Sequence, residues 1–113
     1  MYQVILRHKP FNSNNRADSY RLTPRRFQRK EWAEEYLDYL LGICRKEYTM
    51  IRFWLNSKNL NVAGYNLMQW YGLSKEEVTV VMLFTVNAIR NASDTIYFGG
   101  SYEFRVVDGM ELV

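Results

Sequence analysis

The sequence holds one histidine, His8, and one cysteine, Cys44. A multi-histidine metal site is therefore excluded, and one Cys with one His falls short of the ligand set of a structural zinc site. A lone cysteine forms no intrachain disulfide, which fits a reducing compartment. No P-loop and no G-x-G-x-x-G occurs, and Gly99-Gly100 reads as a hairpin turn rather than a phosphate cradle. The longest apolar run is Val80–Phe84, against the roughly twenty apolar residues of a membrane span. Met1–Lys9 alternates like a strand and has no small-residue cleavage site, so we expect a strand there rather than a signal peptide. There are no internal repeats and no low-complexity linker. These absences lead us to expect one soluble, intracellular (cytoplasmic) domain over residues 1–113, with no cofactor, no metal and no membrane partner.

Acidic residues are scarce at the start of the chain. The first thirty positions carry Arg7, Lys9, Arg16, Arg21, Arg25, Arg26, Arg29 and Lys30 against Asp18 alone, a net +7. The remainder carries seven bases and eleven acids, a net −4, which gives the overall +3. Such asymmetry points to a segment that meets something negatively charged. Nine Tyr, six Phe and three Trp supply bulk for a core and, where they reach the surface, the amphipathic side chains of a binding protein.

Periodicity divides the chain. Met1–Arg7 alternates as a strand, with Tyr2, Val4 and Leu6 on one face and Gln3, Ile5 and Arg7 on the other. Lys9–Asp18 is rich in turn formers and reads as a loop. Tyr20–Gln28 is either a second strand or a basic arm; Pro24 donates no ladder hydrogen bond, so a strand there is an edge or ends there. Lys30–Cys44 is the clearest helix. Trp32, Ala33, Tyr36, Leu37, Leu40, Leu41 and Cys44 form its apolar stripe, and Glu31, Glu34, Glu35 and Asp38 its polar face.

Tyr48–Leu55 is rich in β-favouring residues and is expected to be a strand. Val62–Tyr71 is expected to be a short helix closed by Gly72, with Leu73 as its hydrophobic contact. Ser74-Lys75-Glu76-Glu77 has the form of a capping box and opens a second long, largely buried helix, Lys75–Asn91. Thr95–Phe98 and Tyr102–Val107 form a hairpin around Gly99-Gly100-Ser101. The expected fold is α+β: a single small domain with an antiparallel sheet packed against two main helices and a C-terminal β-hairpin. Residues 1–30 form its basic strand-and-loop segment, and residues 31–113 run helix, strand, helix, helix, hairpin.

From Lys30 onward that order resembles the winged-helix class. Tyr65–Val78, with its Tyr71-Gly72-Leu73-Ser74 turn, is similar to the middle of a helix-turn-helix, and the Gly99-Gly100-Ser101 hairpin would be the wing. A recognition helix presents polar side chains to bases and phosphates. Here these would be Lys75, Glu76, Glu77, Thr79, Thr85, Asn87 and Arg90, behind an acidic first turn.

Three readings of the basic segment stand side by side. Arg21, Arg25, Arg26, Arg29 and Lys30, interleaved with Tyr20 and Phe27, would grip phosphates and stack on bases. They would equally form a solvated face partly neutralised by Glu34, Glu35 and Asp38, or an arm that docks on an acidic protein surface. Asp94, Glu103 and Arg105 form a faint nuclease-like constellation that would hold magnesium.

The leading expectation is a small non-enzymatic interaction or inhibitor protein. It has the general look of a phage or mobile-element accessory protein of anti-defence type, docking on a protein or nucleoprotein. The alternative is a nucleic-acid-binding protein. The binding residues expected are Arg21, Arg25, Arg26, Phe27, Arg29 and Lys30, with Trp54, Phe98 and Tyr102 as aromatic anchors. The apolar strand faces leave a homodimer open.

Overall fold

The computed structural model of the chain describes residues 1–9, 19–92 and 100–109. Its elements run β1 (Tyr2–Lys9), β2 (Ser19–Phe27), α1 (Lys30–Lys46), α2 (Tyr48–Asn56), α3 (Leu60–Tyr71), α4 (Lys75–Asn91) and β3 (Ser101–Asp108). The domain is α+β. Its three-stranded antiparallel sheet has the order β2-β1-β3.

The alternation of β1 sets the faces of the sheet. Directly opposed residues of an antiparallel pair lie on the same face. Tyr2 and Val4 reach the core, beside Phe27 from β2 and Phe104 and Val106 from β3. Gln3, Ile5 and Arg7 point the other way, opposite Arg26, Leu22 and Tyr20 of β2 and Val107, Arg105 and Glu103 of β3. The ends of β1 and β3 are tied together: the Gly109 amide donates to the Met1 carbonyl at 2.7 Å, and the Met1 amino group lies 3.8 Å from Asp108.

α1 and α4 pack on each other and against the strands, while α2 and α3 pack on α4 and on each other, forming a second helical layer. The core between them holds Ala33, Tyr36, Leu40, Ile43 and Cys44 of α1, Ile51 of α2, Ala63 and Leu67 of α3, and Val81 and Ile89 of α4. α4 begins with the full reciprocal capping box: the Ser74 hydroxyl accepts from the Glu77 amide, and the Glu77 carboxylate accepts from the Ser74 amide. Gly72 ends α3 in the left-handed conformation, φ 63°, which side chains with a Cβ disfavour. Asn87 of α4 donates to the Gly100 carbonyl at 3.0 Å and so fixes the start of β3.

Two expectations need correction. Tyr48–Leu55 is not a strand but most of helix α2. Its β-favouring composition is overridden by packing. Tyr48, Ile51 and Leu55, at helical spacing, turn toward the core, whereas Thr49 and Phe53 are exposed. The alternating face Thr49, Ile51, Phe53, Leu55 is thus broken up.

The winged-helix order fails with that strand. Moreover, α4 buries Val80, Val81, Thr85 and Ile89 between the sheet and the other helices, so it is a central core helix and not one free to enter a DNA groove. Of the proposed C-terminal hairpin, Tyr102–Val107 is realised in β3, whose partner is β1. Thr95–Phe98 lies outside the described residues, as does the Lys9–Asp18 loop beyond Lys9.

Candidate functional site

β2 is a bulged edge strand, and the bulge decides where its arginines go. Gln3 pairs with Arg26 but Ile5 pairs with Leu22, so Thr23, Pro24 and Arg25 lie opposite the single residue Val4. Proline is tolerated at such a place because the ladder is already interrupted. Side chains take over the missing backbone bonds: the buried Thr23 hydroxyl donates to the Val4 carbonyl at 2.7 Å, and the Gln3 amide donates to the Thr23 carbonyl at 2.7 Å.

Beyond the bulge, Arg25 lies over the Tyr36 ring, 5.2 Å from its centroid, and its Nε is 3.8 Å from Oε2 of Glu77. The Tyr36 hydroxyl donates to the same carboxylate oxygen. Glu77 is only 3 % exposed. Burial works against its charge, but the Ser74 amide, the Tyr36 and Ser74 hydroxyls and Arg25 outweigh it and hold the carboxyl below its usual value. Burial, reinforced by Glu77, pushes the Tyr36 hydroxyl well above the usual phenol range. One buried carboxylate therefore joins β2, α1 and the start of α4.

Two residues after β2, Arg29 stands at the start of α1 with its guanidinium 5.3 Å from the Trp32 ring centroid. Phe27 packs against Tyr36, ring centroids 5.5 Å apart. Arg25, Phe27, Trp32, Glu35, Tyr36 and Tyr39 line a shallow hollow of about 440 Å³. Trp32, Tyr36 and Tyr39 fall at helical i, i+4, i+7 spacing, so α1 presents a row of aromatics to it. Trp32 and Tyr39 are nearly half exposed. The two cation–π contacts hold both arginines against the surface, each contact worth about 0.5–1 kcal/mol at an exposed site.

The other expected site residues are dispersed. Arg21 lines a separate small hollow with Lys75, Glu76 and Thr79 of α4. Arg26 sits on the reverse face of the sheet, opposite Gln3. Lys30 is exposed at the first position of α1. Trp54 is half-buried at the edge of the core, edge-to-face with the exposed Phe53 at 4.9 Å. Tyr102 stacks on His8 at 4.5 Å, away from the hollow. Phe98 lies outside the described residues, and so does Asp94 of the nuclease-like constellation. Glu103 of that set is engaged by Arg7 at 3.5 Å and Arg105 at 4.0 Å. Among the described residues no cluster of His, Cys, Asp and Glu could hold a metal ion, and no helix is long and apolar enough to cross a membrane.

Sequence reasoning found Arg25, Phe27 and Arg29 and placed Tyr36 correctly in the core stripe, but it put the half-exposed Trp32 there too and passed over Tyr39. The signal was present: an aromatic row directly after a basic strand. Comparison of the chain with protein-family models, curated proteins and solved structures gives no match.

Proposed function

We propose that this chain is a non-enzymatic binding protein that docks on a partner protein through the β2–α1 hollow. The observation that carries this reading is the pair of arginines laid on aromatic rings, Arg25 on Tyr36 and Arg29 on Trp32, around an aromatic-lined depression. Trp, Tyr and Arg dominate protein-interface hot spots. Side chains already held in place lose less freedom on binding, which favours affinity. The partner chemistry that fits is an apolar side chain for the hollow flanked by carboxylates for the guanidinium groups. Occupying a partner's surface without chemistry is also how an inhibitor of the expected kind would act.

Phosphate recognition is supported less. Strand-tracking nucleic-acid grooves gather their bases along one channel, whereas here Arg21, Arg26 and the Arg25–Arg29 pair occupy three different surfaces. Glu35 lines the hollow, and Glu31, Glu34 and Asp38 are exposed on the same helix.

The test is a photo-cross-linking residue in place of Tyr39 in the full chain, with purification of the adduct. A discrete protein adduct that disappears on Arg29→Ala and Trp32→Ala, while Arg26→Ala leaves it intact, is the expected result. Adducts to nucleic acid, or protein adducts indifferent to these substitutions, would overturn the proposal.

A further inference from the structure

A second surface, separate from the β2–α1 hollow, is the face of the sheet turned away from the helices. The register and the alternation of the strands put Arg7 and Lys9 of β1 on it, beside Tyr20, Leu22 and Arg26 of β2 and Glu103 and Arg105 of β3. Among the described residues this face therefore carries four bases and one acid. Glu103 engages Arg7 at 3.5 Å and Arg105 at 4.0 Å. One carboxylate offsets one of those two guanidinium charges, and Lys9 and Arg26 stand exposed beyond them. The acids Glu31, Glu34, Glu35 and Asp38 belong to α1, whose Ala33, Tyr36 and Leu40 pack in the core on the other side of the sheet. Positive charge is thus gathered on the open sheet face and negative charge on the helix layer.

Large apolar side chains lie open among these bases. Tyr20 is 48 % exposed and sits directly opposite Arg7 in the ladder, and Leu22, two residues along the same face, is 44 % exposed. Directly opposed side chains of an antiparallel pair have Cβ atoms about 5 Å apart, so the Tyr20 ring has a guanidinium group beside it. Arg7 and Lys9, two residues apart on one strand, stand about 7 Å apart.

We propose that this open sheet face binds single-stranded nucleic acid, with Tyr20 stacking on an unpaired base and Arg7, Lys9, Arg26 and Arg105 holding phosphates. Charge complementarity calls for a polyanion, and the exposed ring among the charges selects which one. Every nucleotide of a single strand offers a flat π face and a phosphate close to it, and the ladder sets Tyr20 beside Arg7 to meet both. The carboxylates of an acidic peptide would pair with the bases but leave the Tyr20 ring unused. A duplex keeps its bases stacked inside, away from a flat sheet.

The bases that part company around β2 and α1 are replaced here by a set drawn from all three strands. Arg26 is the only member that comes from the arginines of residues 21–29; Arg7, Lys9 and Arg105 are brought to it by the pairing of β1 with β2 and β3. The β2–α1 hollow, lined by Phe27 and Tyr36, opens on the helix side. The two surfaces therefore act independently, and both can be occupied at once.

Fluorescence anisotropy of the full chain with labelled single-stranded DNA and RNA of about twelve nucleotides, and with the matching duplex, tests the proposal. The expected result is binding of either single strand at least about tenfold tighter than the duplex. Three to four phosphate contacts should make log K fall with log salt at a slope of about −2 to −3, and Arg26→Ala should reduce that slope by about 0.7. Tyr20→Ala should weaken binding about tenfold or more, and Tyr20→Phe should bind like the parent because the ring alone stacks. Both positions are exposed, and the far-ultraviolet circular dichroism of each variant should match the parent. Arg29→Ala should bind the strand like the parent, which separates this face from the docking hollow. No binding at low salt, a duplex bound as tightly as the single strand, or affinity indifferent to Tyr20→Ala and Arg26→Ala would overturn it. So would displacement by polyglutamate as effective as displacement by unlabelled oligonucleotide.

Discussion

Replacing Glu77 with Ala removes the group at which β2, α1 and α4 converge. Three consequences follow from the geometry. The Tyr36 hydroxyl, on a residue 5 % exposed, loses its carboxylate acceptor, and a hydrogen bond to a charged group contributes about 1.5–3 kcal/mol. The Ser74 amide loses the reciprocal half of the capping box, a loss of about 1 kcal/mol on the scale of helix caps. Arg25 loses an ion pair, but its side chain is 61 % exposed, so solvent screening leaves that contribution near zero to about 0.5 kcal/mol.

The sum is about 3 kcal/mol, or a fall of about 12 °C in Tm for a domain of this size. Urea denaturation of the parent, Glu77→Ala, Tyr36→Phe and the double variant measures it. The two substitutions share one hydrogen bond, so the cycle should be non-additive by about 1–2 kcal/mol. A loss below about 1 kcal/mol for Glu77→Ala, or additivity within about 0.3 kcal/mol, would refute the reasoning.

Further predictions concern the same scaffold. Because the folded-state carboxyl of Glu77 is held below its usual value, its stabilisation is complete above the unfolded value of about 4.3 and fades as pH falls through the folded value. Glu77→Gln should therefore flatten the acid side of the stability profile relative to the parent, and parallel profiles would count against it. Gly42 is exposed in α1 with open space around a Cβ, whereas Gly72 has φ +63°. Gly42→Ala should stabilise by about 1 kcal/mol and Gly72→Ala destabilise by about 1–2 kcal/mol in urea titrations; equal signs would be a failure. Thr23→Val should cost about 1–2 kcal/mol by leaving the Val4 carbonyl unpaired at the bulge, read by thermal melting. Burial pushes the Cys44 thiol up to about 11, so a thiol-specific reagent at pH 8 should modify it only after denaturation.

The features most legible in the sequence were those encoded locally. The capping box at Ser74, the Gly72 terminus and the stripes of α1 and α4 depend on near neighbours, and α4 runs Lys75–Asn91 as its pattern implies. The alternation of β1 was equally plain. What misled was α2, because Tyr48–Leu55 satisfies a strand by composition and a helix by the spacing of Tyr48, Ile51 and Leu55. Only the packing of Ile51 into the core decides between them. The site was half legible. Basic residues near one another in sequence were expected to act together, but the bulge at Thr23–Arg25 and the alternation of β2 send Arg21, Arg25 and Arg26 to different surfaces. Trp32 reads as core from its place in the stripe, yet it lies at the rim beneath Arg29.

The most direct test of the central claim, docking through the β2–α1 hollow, is the cross-link from position 39. The account predicts a single partner protein, trapped by the parent chain and by Arg26→Ala and lost with Arg29→Ala and Trp32→Ala. A cross-link to nucleic acid, or a protein adduct that survives the loss of Arg29 and Trp32, would contradict it.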